Sequence, residues 1–407
     1  MELLLFFFLP EILSLFISIP FSKQLSDFNE NYLFDNKILA HLSFGTPKVN
    51  LKFFLDFYGR FIYISDIKLG GLYSNNSKTY EFISDTRSQF NYNTKYFYFY
   101  FAKENFYINN RIEKFNFNYI YKSPNNGTLE YGILGFQFPH FKDEKNIKYQ
   151  LKEKGLIDEY YYKIHFLNET SGEIIIGTDN SNENNLEILT SIEYTYKDTN
   201  IKFEKIMYND IEETNPKIKI CYNLRGISVK ESYFNIINET FFFPLIHKNK
   251  CKSEYINITN NQYIYFVCDQ DIDTKNLKEL NFLNTKKNYT FTLNEKDLFK
   301  VYNKKKYCLI FFDLAEPSKW VLGQIFFEKY PMTINDESKM AIYYIIDDKI
   351  NNYLIIIIIA FISLIIIIIV LSFIIIKLLK KIPRRIRANE LENENYDYST
   401  YNILKIN

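Results

Sequence analysis

The chain has 407 residues, enough for one large domain or two of ordinary size, and its 49 Lys and Arg against 48 Asp and Glu leave a net charge of +1. Charges this balanced and evenly mixed supply no basic footprint, so a nucleic-acid partner is excluded. The four histidines, His41, His140, His165 and His247, fall in no H-x-H or H-E-x-x-H spacing, so neither a metal nor another cofactor is expected.

Residues 3–20 are apolar but broken by Pro10 and Glu11, with no basic residue ahead of them. Residues 1–22 are therefore expected to form a signal peptide, with a signal anchor or a mis-called first exon as the alternatives. From 23 to 350 the pattern is that of β-structure. The runs 39–44, 51–55, 96–101, 172–176 and 288–293 are rich in aromatic or β-branched side chains, and several alternate in polarity. The clearest helical pattern is short, residues 147–153 ahead of Gly155. The polar run 179–185 reads as a connector between a first part, about 37–180, and a second, about 186–345. Gly132-Ile133-Leu134-Gly135 in the first part and Trp320-Val321-Leu322-Gly323 in the second hint at a duplication.

Cys221, Cys251, Cys268 and Cys308 all lie in this region, an even number suited to two disulfides, with buried free thiols as the alternative. Six N-x-[ST] sequons, beginning at Asn75, Asn126, Asn168, Asn238, Asn257 and Asn288, lie there too. Residues 354–376 are apolar apart from Ser363 and Ser372 and reach about 34 Å as a helix, the length of a membrane span. Lys377, Lys380, Lys381, Arg384, Arg385 and Arg387 then place the tail, 377–407, in the cytoplasm. The expectation is a single-pass membrane protein whose domain 23–350 sits in the secretory or endolysosomal lumen or at the cell surface.

Several short motifs recur in a telling order. Leu42-Ser43-Phe44-Gly45-Thr46-Pro47 is followed by Leu51-Lys52-Phe53-Phe54-Leu55-Asp56 and then by Ile62-Tyr63-Ile64. Next come Gly132-Ile133-Leu134-Gly135-Phe136, then Leu151 to Ile157, then Lys163-Ile164-His165-Phe166. Gly172-Glu173-Ile174-Ile175-Ile176-Gly177-Thr178-Asp179 and Trp320-Val321-Leu322-Gly323-Gln324-Ile325-Phe326-Phe327 complete the series. Together they resemble the pepsin and cathepsin D family of aspartic peptidases over about residues 37–345. The resemblance implies a mostly β, bilobal fold, with lobes meeting near the connector.

That family hydrolyses peptide bonds with two carboxylates sharing a proton, one activating water and the other protonating the carbonyl. The resemblance puts the first carboxylate at Asp56, but Phe57 and Tyr58 replace the Thr and Gly that follow it in the family. Counting back from Pro244 puts the second at Asn235, a neutral amide that cannot act as a base. Tyr98 and Tyr100 are both candidates for the tyrosine of the family's flap. The resemblance also implies a Cys268–Cys308 disulfide, leaving Cys221 and Cys251 as a second pair. The function so implied is a membrane-anchored, catalytically impaired peptidase homologue that binds a peptide or protein ligand. The alternatives are an aspartic endopeptidase active at acid pH, its second carboxylate supplied by Asp210 or Asp269, and a receptor or adhesion ectodomain.

Overall fold

The strand Val49–Asp56 shows how polarity becomes structure: Leu51, Phe53 and Leu55 are buried while Asn50 and Lys52 face outward. The same period runs through Lys95–Ile108, where Phe97 and Phe99, then Ala102, Glu104, Phe106 and Ile108, point inward. The phase changes near the point where the pairing with the neighbouring strands slips by a residue. The computed structural model describes residues 16–24, 37–57, 59–69, 73, 76–92, 95–108, 111–124, 128–137, 146–178, 186–194, 198–258, 261–345 and 361–377. Four of the five runs expected to be strands lie wholly within strands, the fifth forms the strand Tyr289–Leu293 after a left-handed Asn288, and the expected helix is Ile147–Glu153, capped by the buried Asn146.

Twenty-two strands among the described residues form one hydrogen-bonded network. A second sheet of four strands runs in the order Ile211–Thr214, Lys205–Tyr208, Leu280–Asn284 and Tyr289–Leu293. Its Phe282 and Phe291 pack on Phe203 and Phe326. The mostly β expectation agrees with this. The bilobal pepsin-like fold does not: Met1–Ile345 is a single compact unit, its strands continuous from one part to the other through Leu186–Tyr194, which pairs with both Thr199–Lys202 and Met340–Ile345. The expected connector, 179–185, lies outside the described residues.

Ile346–Asn407 is a separate unit, described only over 361–377, which is helical and exposed throughout. No helix among the described residues is long and apolar enough to cross a membrane. Part of the expected span, 354–360, and the tail beyond 377 lie outside the described residues. The single-pass arrangement, and the lumenal or surface location inferred from it, are therefore not carried forward.

Inside the large sheet one arrangement occurs twice. Val49–Asp56 runs parallel to Gly132–Gly135, which pairs antiparallel with Ile62–Ser65, itself parallel to Arg111–Lys122. Lys217–Ile220 runs parallel to Trp320–Leu322, which pairs antiparallel with Ile227–Ser228, itself parallel to Ile310–Asp313. The two tetrapeptides noted in the sequence thus occupy the same place in each copy. Gly135 and Gly323 are needed there because a Cβ on either would collide with backbone, that of Phe61 in one copy and of Leu224 and Gly226 in the other.

The cysteines pair differently from the expectation. Cys251 and Cys268 stand directly opposite on Cys251–Ile258 and Asn261–Asp269, with Cα atoms 4.0 Å apart, and are bonded. Cys268 cannot reach Cys308, because the residue opposite it on the next strand is Lys306. Neither Cys221 nor Cys308 is in a disulfide, and burial pushes the Cys308 thiol up to about 12. Closing a loop of 17 residues stabilises the fold by about 3 kcal/mol in the loop-entropy account. Replacing both Cys251 and Cys268 by Ala is expected to lower the free energy of unfolding in urea by that amount. Equal stability with and without reductant would contradict the bond.

Candidate functional site

The duplicated arrangement brings two turns together. In the first copy Asp56 ends its strand opposite Gly135, and five residues separate it from Ile62, which pairs with Leu134. In the second, Ile220 pairs with Leu322, so Cys221 falls beside Gly323, and five residues separate it from Ile227, which pairs with Leu322. Cys221 is therefore the structural counterpart of Asp56, and Tyr222 that of Phe57. The rings of Phe57 and Tyr222 meet at 4.5 Å between centroids, both buried, and Tyr222 also packs on Phe327 at 4.6 Å. This contact joins the two turns.

Backbone bonds hold each turn in place. Phe136 donates its N–H to the Asp56 carbonyl at 2.7 Å, and Cys221 donates to the Leu322 carbonyl at 2.9 Å. Gln324 spans the second turn, its Nε2 donating to the Tyr222 carbonyl at 2.6 Å. The Asp56 carboxylate folds back over its own turn, where a Cβ on Gly59 would collide with it. Both Asp56 and Cys221 are half-buried. Burial raises the phenol of Tyr222 well above its ordinary range, so it stays protonated.

Asn235 is not part of this pairing. It lies on the exposed face of Glu231–Ile237, the first piece of a helical run that continues through Asn238–Phe242 to Phe243–His247. Pro244 sits in the first turn of the last piece, where its missing N–H costs nothing, so a count back from it lands inside a helix. The helical spacing of Tyr233, Phe234, Ile237, Phe241 and Phe242, all buried, was the signal for this. Asp210 is exposed, and Asp269 lies at the end of a strand near Lys250 and Lys305.

Tyr98 is half-buried opposite Gln89 and Lys122. Tyr100 is packed among Phe82, Tyr119 and Tyr121, with centroids 5.2 to 5.3 Å away. Tyr58 lies outside the described residues. Among the described residues no group of three or more His, Cys, Asp or Glu is arranged to hold a metal ion. The residues that sequence reasoning missed are Cys221 and Tyr222. The equal spacing from each of Asp56 and Cys221 to its following strand was the available signal.

Comparisons with known proteins add the fold alone. No protein-family model matches the chain, and no curated protein matches it. Among solved structures, basic 7S globulin from soybean superposes with a TM-score of 0.59 at 12% identity, covering 81% of this chain and 96% of that one. Membership of the pepsin-like family, expected from the order of the motifs, is therefore withdrawn: short motifs of common strand and turn residues carried that resemblance, and the comparisons yield a structural likeness to a globulin and no peptidase family.

Proposed function

We propose that the chain is a non-catalytic binding protein that takes an extended segment of peptide or protein. The observation that carries this reading is that Cys221 holds on the second turn the place that Asp56 holds on the first. Hydrolysis by paired acids needs two carboxyl groups facing one water, and here the second place holds a thiol. A thiol nucleophile would need an imidazole beside it. His41 contacts Ser22, His165 contacts Glu173, and His247 packs on Phe243, so these three are engaged elsewhere.

An extended ligand fits the edge strand Glu81–Tyr92, which among the described residues pairs only with Lys95–Ile108. Phe82 and Ile83 on that edge are 51% and 42% exposed. An incoming strand would meet unpaired backbone groups there and bury these side chains. The two register shifts break the edge into short regular runs, so the bound segment is expected to be only a few residues long.

The test is a peptide-binding and hydrolysis assay on the same preparation. No cleavage is expected between pH 3 and 7, and Asp56→Asn should leave binding unchanged. Phe82→Asp should weaken binding tenfold or more, since burying one such side chain contributes roughly 1.5–3 kcal/mol. Cys221→Asp would supply the missing second carboxyl, whereas Asn235→Asp, on an exposed helical face, would not. Cleavage by the wild-type chain that Asp56→Asn abolishes would overturn the reading.

A further inference from the structure

The turn that carries Cys221 also carries an unusual charge. Arg225 is only 3% exposed, and its Nε and Nη1 are buried without a hydrogen-bond partner. A guanidinium does not lose its proton inside a protein, so it cannot escape the cost of burial by becoming neutral. Buried donors are ordinarily bonded, and two unbonded ones on a buried guanidinium ask for an explanation.

The other copy of the duplicated arrangement shows what is missing. The register that makes Gly135 equivalent to Gly323 makes Arg60 equivalent to Arg225 and Gln137 equivalent to Ile325. Arg60 Nε donates to Gln137 Oε1 at 3.0 Å. The corresponding place is held by Ile325, whose N–H donates to the Arg225 carbonyl at 2.9 Å and whose side chain has no acceptor. Both copies carry the cation, and only the first carries the side-chain acceptor.

The charges nearby do not make up the difference. Lys23, its side chain fully buried, pairs with Glu328 at 2.5 Å and lies 4.5 Å from the ring centroid of Phe166. Lys300 pairs with Glu169. The charge of Arg225 acts on both Lys23 and Glu169, which places all of these groups in one neighbourhood. Three cations thus stand against two carboxylates, each already held by a lysine.

We propose that Arg225 anchors an oxyanion site, where a carboxylate or phosphate group supplies the acceptor that Ile325 lacks. Charge-assisted bonds to such a group are about twice as strong as neutral ones, and burial away from water strengthens them. The site is independent of the extended-peptide reading, since it uses neither the edge strand nor Asp56.

The test uses the full chain and titrates inorganic phosphate and, separately, acetate, with ionic strength held constant by sodium chloride. A saturable rise in melting temperature and broadening of the phosphate 31P signal are expected. Arg225→Lys keeps the charge and loses the planar donors, and should weaken saturation about tenfold. Arg225→Met should remove it, and Arg111→Lys, at an exposed position, should not change it. Peptides ending in a free carboxylate, compared with amidated ones, separate a peptide terminus from a free anion as the source. A rise that never saturates, or one that saturates equally in Arg225→Lys, would overturn the proposal and leave the guanidinium solvated by water alone.

Discussion

A chain beginning at residue 23 is expected not to fold. Phe16–Gln24 is a strand inserted between Ser171–Gly177 and Lys37–Phe44, paired with the first from Phe16 to Ser22 and with the second from Phe21 to Gln24. Ile17, Ile19 and Phe21 point into the core and are nearly inaccessible. Three such side chains contribute together roughly 5–9 kcal/mol, comparable with the whole stability of an ordinary domain. Their loss would also leave two neighbouring strands with unpaired edges. The segment overlaps the expected signal peptide, 1–22, so the two readings can be separated directly. Purified protein should carry an N-terminus at or before Phe16, and the shortened chain should lack a cooperative thermal transition. A shortened chain that melts cooperatively at the temperature of the full one would show that the strand is dispensable and that residues 1–22 act as a leader.

The second large effect concerns Lys148 and Asp336. Both are fully buried and bonded to each other, Tyr194 donates its hydroxyl to the other carboxylate oxygen, and Lys148 lies over the rings of Phe136 and Tyr162. Burial lowers the Lys148 pKa and raises that of Asp336 despite their mutual attraction, so desolvation outweighs the pairing for both. Lys148→Met alone should destabilise by about 3–5 kcal/mol, because it strands a buried carboxylate. Adding Asp336→Leu and Tyr194→Phe should recover that loss, since a packed apolar cluster of similar volume costs no desolvation. Urea denaturation of the single and triple variants measures both. The sign with pH follows from the raised carboxyl. With Asp336 held above its unfolded value, the Lys148→Met variant should be most stable at acid pH and lose stability as pH rises through the folded pKa. A variant equally stable at pH 4 and pH 8 would show that the carboxylate reaches solvent once its partner is gone.

Local patterns in the sequence were reliable where neighbours in the chain decide the outcome. The alternation in 51–55 placed Leu51, Phe53 and Leu55 inward, and the capped heptapeptide from Ile147 to Glu153 is the helix it was expected to be. The pair of tetrapeptides ending in Gly135 and Gly323 marked a true duplication, because only glycine allows the backbone to approach so closely. The reading failed where a count along the chain stood in for a position in space. Counting back from Pro244 chose Asn235, whereas strand register chooses Cys221, and helical spacing between the two had gone unread. The disulfide failed as well: the resemblance implied Cys308, but the pairing partner across the ladder is Cys251.

By itself, then, the sequence determined the β character, the inward faces of the strands and the short helix, all of which depend on period and local chemistry over a few residues. The tertiary structure alone decided which turn faces Asp56, which cysteines meet, that residues 16–24 belong to the sheet, and that Arg225 is buried without the acceptor its counterpart has. Those facts are set by pairing between segments far apart in the chain, where a one-residue change of register exchanges one partner for another and leaves the local pattern untouched.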